Sequence, residues 1–88
     1  MDNITNKREK INNIDKELVS LLYDRIELCK EIGILKKKNN INVLDKNREN
    51  EIIKNLANNS YFNQEEIKNI YNEIFILSKK KQLEITNN

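Results

Sequence analysis

The sequence has little of what interrupts a helix, cross-links a chain or holds a metal. Its 88 residues contain no proline, one glycine, one cysteine and no histidine. A single cysteine, Cys29, cannot form an internal disulfide, and we expect it to be a small buried thiol in a reducing compartment. The sequence also shows no cluster of residues spaced as metal ligands. Without proline, and with hardly any glycine, long uninterrupted helices are expected.

Long apolar runs and a strong excess of one charge are also missing. No stretch has the roughly 18 consecutive apolar residues of a membrane helix, and no signal-peptide core is present, so we expect a cytoplasmic protein that does not bind membranes. Sixteen basic and fourteen acidic residues leave a formal charge of +2. That balance, without interleaved aromatics, does not indicate nucleic-acid binding. The lysine runs 36–38 and 79–81 are interpreted as solvated helix ends, with Lys36 as the exception.

Hydrophobic periodicity predicts an all-α protein with a single domain, residues 1–88. The predicted helices cover about residues 5–38, 46–58 and 63–83. Thr5 and Asp45 are suitable N-caps for the first two helices. Asn63 with Glu66 resembles a capping box at the start of the third. The tail from Glu84 is expected to fray.

The apolar residues of the second and third helices recur at helical spacing and predict the core. They are Ile52, Ile53 and Leu56 in the second helix, and Ile67, Ile70, Tyr71, Ile74 and Phe75 in the third. Gly33 lies inside the first helix, where glycine costs about 1 kcal/mol relative to alanine. Its presence there indicates the close approach of another helix.

The first helix carries a heptad seam that one charged residue interrupts. Seven of its a and d positions are apolar: Ile11, Ile14, Leu18, Leu21, Leu28, Ile32 and Leu35. The eighth position is Arg25, and a guanidinium that cannot lose its proton must meet an anion or leave the seam. Lys36 follows eleven residues later, about 20° around the helix and about 16 Å along it. Two cations on an apolar face predict a pocket for a small anion.

The length of the first helix predicts a second copy of the chain. A helix of 34 residues is about 50 Å long, whereas a compact chain of this size has a radius of gyration near 12 Å, so roughly half of the helix projects with its seam exposed. An interlocked homodimer with twofold symmetry would cover that seam. Arg8 lies about 25 Å before Arg25 and about 100° around the helix, so a small ligand could reach both only if Arg8 came from the partner. Otherwise Arg8 is an ordinary exposed residue.

Further polar residues interrupt the apolar stripes of the other two helices. Ser78 and Gln82 continue the stripe of the third helix, where a frayed end explains them about as well as a site does. Arg48 and Glu49 precede two core isoleucines at i, i+4 spacing, although a surface pair in the first turn is also a fair interpretation. Asp45 beside them is adequately explained as a helix cap.

Taken in order, these residues resemble the all-helical chorismate mutases of type II. The resemblance is carried by Arg8-Glu9-Lys10-Ile11 with Ile14-Asp15, by Leu21-Leu22-Tyr23-Asp24-Arg25 with Lys36 eleven residues on, by Asp45-Lys46-Asn47-Arg48-Glu49, and by Ser78 with Gln82. Each string is short, but together they cover nearly the whole chain. Two departures are Lys7, where the family often has an apolar residue, and the loop 41–44, which lacks a frequent proline.

The resemblance implies a three-helix protomer in an intertwined homodimer, and the Claisen rearrangement of chorismate to prephenate, without a cofactor, on the route to phenylalanine and tyrosine. Arg25 and the partner subunit's Arg8 would bind the two carboxylates of chorismate. Lys36 and Gln82 would donate to its ether oxygen, and Glu49 would accept from its hydroxyl. Three further polar residues would complete the site: Asp45, Arg48 and Ser78.

Two alternatives remain open at this point. Isochorismate-pyruvate lyases share the fold and much of the cationic site, and only the Glu49 contact and the full motif pattern favour the mutase. A non-catalytic helical dimerisation module would use Arg25 as a polar residue that sets coiled-coil specificity. That module leaves Lys36, Gln82 and the pair on the second helix unexplained.

Overall fold

The computed structural model describes residues 3–86, which form three helices. They are α1 (Asn3–Lys38), α2 (Lys46–Ala57) and α3 (Gln64–Thr86). No strand occurs within residues 3–86, so the predicted all-α class is confirmed. None of the described helices combines the length and apolarity required to cross a membrane.

The helix ends differ from the predicted ones by a few residues. Helix α1 begins at Asn3, so Thr5 lies inside the helix and is not its N-cap. Helix α3 continues through Thr86, three residues beyond the predicted end, so the expected fraying from Glu84 is wrong for the backbone up to that point. Residues 87 and 88 lie outside the described part of the chain.

The predicted caps of α2 and α3 are present. Asp45 Oδ1 accepts a hydrogen bond from the backbone N–H of Arg48 at 3.0 Å, which satisfies one unpaired donor of the first turn. At the start of α3, Asn63 Oδ1 accepts from the Glu66 N–H at 2.8 Å, and Glu66 Oε1 accepts from the Asn63 N–H at 3.0 Å. This reciprocal pair is a capping box, as the sequence predicted.

A left-handed residue ends α1 and turns the chain toward the other helices. Asn40 has a φ of 58°, and the Ile41 N–H donates to the Lys36 carbonyl at 2.7 Å. The Asn40 N–H donates to the Lys37 carbonyl at 3.2 Å, which completes a Schellman motif. Asparagine tolerates this conformation better than other residues with a side chain. The loop that follows is thereby directed back across the end of α1.

The core is small and lies mainly between α2 and α3. Ile53, Ile67 and Phe75 form its buried cluster, with Ile52 and Tyr71 packed against it. All five were predicted core residues.

Two predicted core residues, Leu56 and Ile70, are instead exposed. Ile70 is one position before Tyr71 and therefore points about 100° away from it around the helix. Because Tyr71 lies on the middle of the buried stripe, Ile70 falls outside that stripe. Leu56 is 38% exposed, and the helix geometry does not explain why.

Helices α1 and α3 run parallel and approach closely around Gly33. Gln82 Nε2 donates to the Cys29 carbonyl at 2.7 Å, and Arg25, one turn earlier on α1, bonds to Ser78, one turn earlier on α3. Gly33 is one turn after Cys29 and is buried. The burial of Gly33 is the environment that the close approach of another helix would produce.

The protomer is elongated, and its apolar seam is uncovered. Its dimensions are 58 × 28 × 16 Å and its radius of gyration is 16.4 Å, against about 12 Å for a compact chain of this length. Four seam residues of the N-terminal half of α1 are 53–64% exposed: Ile11, Ile14, Leu18 and Leu21. One protomer therefore leaves most of its longest apolar face in contact with solvent.

Candidate active site

A cavity of about 250 Å³ lies where α1, α2, α3 and the loop after α1 meet. Seven of the eight predicted site residues line it: Arg25, Lys36, Asp45, Arg48, Glu49, Ser78 and Gln82. The eighth, Arg8, is exposed on the N-terminal part of α1, away from the cavity of its own protomer. The separation calculated from helix geometry is consistent with this placement.

Arg25 is held against the cavity wall by neutral groups. Its Nη1 donates to Ser78 Oγ at 3.2 Å and to Cys29 Sγ at 3.7 Å. Its guanidinium carbon lies 5.6 Å from the ring centre of Tyr71 and 5.8 Å from that of Phe75, within cation–π range. Within residues 3–86, no salt bridge joins Arg25 to a carboxylate. The described part of the protomer therefore supports the positive charge without neutralising it.

Ser78 and Gln82 are buried polar residues on the inward face of α3. Their exposed fractions are 5% and 9%, and α3 is helical throughout this region. The interpretation as a frayed helix end is therefore wrong. Both side chains bond to α1 and to the cavity lining, as described above, so they link the third helix to the first at the site.

Lys36 lies at the last turn of α1, under the loop. Its Nζ donates to the Val43 carbonyl at 3.4 Å, the long end of the hydrogen-bond range. The turn at Asn40 brings Val43, Leu44 and Asp45 over this end of the cavity. Lys36 is therefore half-buried, unlike the solvated lysines that follow it.

The first turn of α2 supplies the remaining predicted residues. Asp45 lines the cavity and also caps the helix, so its predicted role as a cap is confirmed. Arg48 lines the edge of the cavity and bonds to Glu51 on the exposed side of α2. Glu49 is 14% exposed and turns inward. The expected surface pair between Arg48 and Glu49 is therefore not formed.

Lys79 is a cavity residue that sequence reasoning missed. The run 79–81 was interpreted as a solvated helix end, but the Lys79 side chain is only 34% exposed and its Nζ lies 2.8 Å from Glu49 Oε2. The signal that could have identified it is its position four residues after Phe75, on the edge of the inward stripe. Lys80 is exposed, as that interpretation predicted.

Cys29 also lines the cavity. It was expected to be a buried thiol, but it is half-buried and accepts the hydrogen bond from Arg25.

The cavity has the chemistry of an anion site with an apolar floor. Four cations line it, Arg25, Lys36, Arg48 and Lys79, against two carboxylates, Asp45 and Glu49. Apolar side chains cover much of the rest: Leu28, Ile32, Val43, Leu44, Ile52 and Phe75. In residues 3–86 no group of three or more His, Cys, Asp or Glu side chains is arranged to hold a metal. The arrangement can bind a small molecule with an apolar body and more than one negative group.

Replacing Arg25 by methionine tests whether the charge serves the fold. Because methionine keeps the apolar stem of the side chain and can pack against the aromatic rings, we expect the free energy of unfolding to stay within about 1 kcal/mol of wild type or to rise. Arg25→Ala is the matched control and should lose about 1–3 kcal/mol, since it also removes packing. Urea unfolding at one fixed protein concentration measures both. Equal destabilisation by the two variants would mean that the charge itself holds the fold.

Comparison with known proteins identifies the family of the chain. Residues 7–83 match the family described as chorismate mutase type II. A curated relative, the bifunctional chorismate mutase/prephenate dehydratase of Aquifex aeolicus (strain VF5), is 32% identical over 93 residues, covering 97% of this chain and 26% of the relative. The chain thus spans about a quarter of that relative's length. No solved structure matches the chain significantly. With the match extending over nearly all of α1, α2 and α3, the chain belongs to the type II chorismate mutase family.

Proposed function

We propose that the protein catalyses the Claisen rearrangement of chorismate to prephenate, on the route to phenylalanine and tyrosine. Family membership over residues 7–83 supports this proposal. The observation that carries it is the convergence of cationic and amide side chains from three helices on one cavity. Only the mutase activity in the relative's name is proposed here, because the matched family is that of the mutase.

Arg25 binds one carboxylate of the substrate. Its guanidinium is oriented by Ser78 and by two aromatic rings, and among the described residues it forms no salt bridge that a ligand would have to break. A carboxylate can accept two parallel N–H bonds from such a group. The clamp holds the flexible side chain of chorismate over its ring, which removes an entropic part of the barrier.

Lys36 and Gln82 stabilise the charge that forms on the ether oxygen as the carbon–oxygen bond breaks. Lys36 has a long bond to a backbone carbonyl, which a substrate oxygen can replace. Gln82 is oriented by its 2.7 Å bond to the Cys29 carbonyl. Donors aimed at developing charge bind the transition state more strongly than the ground state, and this difference accelerates the reaction.

The remaining residues recognise the polar edge of the substrate. Glu49 accepts a hydrogen bond from the ring hydroxyl, and Ser78 and Asp45 add polar contacts. Arg48, at the cavity edge, adds to the positive field. None of these roles requires a proton to be transferred, which suits a chain without histidine.

The active form is an interlocked homodimer in which the partner subunit's Arg8 completes the site. The exposed seam of α1 supports this, as does a total accessible surface of 7332 Å², against about 5,400 Å² for a compact protein of this mass. The excess is of the size that subunit interfaces bury. A cavity wall completed by a second α1 would bring a further cation to the anionic substrate.

Assays with two substrates separate the proposed reaction from its enzymatic alternative. Purified protein should convert chorismate to prephenate, measured by loss of chorismate absorbance and by chromatography of the product. Isochorismate should yield little salicylate or pyruvate. Salicylate and pyruvate as the main products would assign the chain to the lyase reaction instead, and inactivity on both substrates would leave a non-catalytic dimerisation module.

Mixing two inactive variants tests whether the site is shared. Arg8→Ala and Arg25→Ala should each be nearly inactive, because each removes a carboxylate ligand from both sites. After subunit exchange, half of the dimers are mixed and each has one intact site, so about a quarter of wild-type activity should return. Native mass spectrometry verifies the exchange. If verified mixed dimers remain inactive, Arg8 does not act across the interface.

The pH dependence of activity tests the role of Gln82. An amide donor does not titrate, so wild-type activity should change little between about pH 6 and 8. In Gln82→Glu the donor must be a protonated carboxyl group, with an ordinary pKa of about 4.3, so activity should fall as the pH rises through this range. Initial rates at saturating chorismate measure both profiles. A sharp acidic optimum in the wild type would contradict the assignment.

A further inference from the structure

We propose that Lys79 is a positioning residue that makes Glu49 compatible with a doubly anionic substrate. This inference rests on the proposed mutase function and adds a residue that neither the motif pattern nor the family resemblance includes. Lys79 acts through Glu49: it fixes the direction of the carboxylate and offsets its charge within the cavity.

The ion pair between Lys79 and Glu49 joins two helices inside the cavity wall. Lys79 Nζ on α3 lies 2.8 Å from Glu49 Oε2 on α2, and both side chains are mostly shielded from solvent. Lys46 is the other cation near this carboxylate, at 3.8 Å from Oε1, but its side chain is 82% exposed. Solvent and salt screen an exposed pair much more than a shielded one. Lys79 is therefore the main counter-ion of Glu49.

Lys79 affects substrate binding through the balance of charge in the cavity. A buried carboxylate repels a substrate that carries two carboxylates of its own, and this repulsion is strong where little water is present. With Lys79, four cations face two carboxylates in the cavity lining. Without it, one cation is lost and Glu49 keeps only its solvated neighbour. Removing Lys79 should therefore weaken binding of the anionic substrate more than it slows the chemical step.

Lys79 also orients the carboxylate of Glu49. The bond at Oε2 holds one oxygen of Glu49 toward α3. Among residues 3–86 the other oxygen, Oε1, has the long contact with Lys46 alone, and it can accept from a hydroxyl of the ligand. Glutamate has three rotatable side-chain bonds, so a fixed partner limits how many directions its carboxylate samples. Arginine at position 79 keeps both the charge and a donor to Oε2, and should therefore preserve much of the effect.

Three single variants test the proposal: Lys79→Met, Lys79→Arg and the control Lys80→Met. Lys80 belongs to the same lysine run but is exposed and outside the cavity. We expect Lys79→Met to raise KM for chorismate about tenfold while kcat changes less than about threefold. Lys79→Arg should stay within about threefold of wild type in KM, and Lys80→Met should match wild type. Thermal unfolding of each variant verifies the fold.

Coupling to Glu49 separates this role from a merely structural one. In a Glu49→Gln background Lys79 has no carboxylate to orient or offset and only its direct attraction for the substrate remains, so adding Lys79→Met should raise KM clearly less than it does in the wild-type background. A similar rise in both backgrounds, or an unchanged KM in Lys79→Met alone, would overturn the proposal. Wild-type protein without mutase activity would instead refute the proposed function, and the two failures are thus distinguishable.

Discussion

The structure is organised around one positive charge that cannot be removed by deprotonation. Arg25 occupies an a/d position of a seam whose other positions from Ile11 to Leu35 are apolar, and a guanidinium there must be solvated by the protein or by a ligand. Residues 3–86 supply a hydroxyl, a thiol and two aromatic faces, but no carboxylate. Support without neutralisation leaves the charge available to an incoming anion. The cavity beside it, and the helices that form its walls, follow from that requirement.

The core of the protomer is small because much of the apolar surface lies elsewhere. An 88-residue chain has a limited apolar surface, and here much of it lies on the seam of α1, where it is not buried within the protomer. The core between α2 and α3 contains a few isoleucines and one phenylalanine. Polar contacts at the cavity join α1 to α3 where an ordinary small domain would use more apolar packing. The residues that line the cavity are therefore also residues that hold α1 against α3.

Most of the fold could be predicted from the sequence because no proline, and only one glycine, weakens its helical pattern. The helices, the Asp45 cap and the capping box at Asn63 follow from local patterns that the structure retains. Ile70 was misassigned because an i, i+3 stripe is wider than the contact that α2 provides. The convergence of seven polar residues on one cavity was predictable because each interrupts an apolar stripe or belongs to a family motif.

Lys79 could not be predicted in the same way. A lysine run on a helix is usually solvated, and its long stem lets the charge point in several directions. Only the packing of α2 against α3 decides that Lys79 meets Glu49 while Lys80 faces solvent. Arg8 illustrates a different limit, since the role proposed for it requires a second chain, which the sequence of one chain does not show.

The two polar links between α1 and α3 have the same separation in sequence. Arg25 to Ser78 and Cys29 to Gln82 are both 53 residues apart. The two helices therefore keep a constant register: each turn of α1 faces the corresponding turn of α3. Length changes in the loops after Lys38 and Ala57 would leave the register between α1 and α3 unchanged. One residue inserted into α3 before Ser78 would turn both links by about 100° together. Natural variation in chain length should accordingly collect in the loops, while the helices between them keep a fixed residue count.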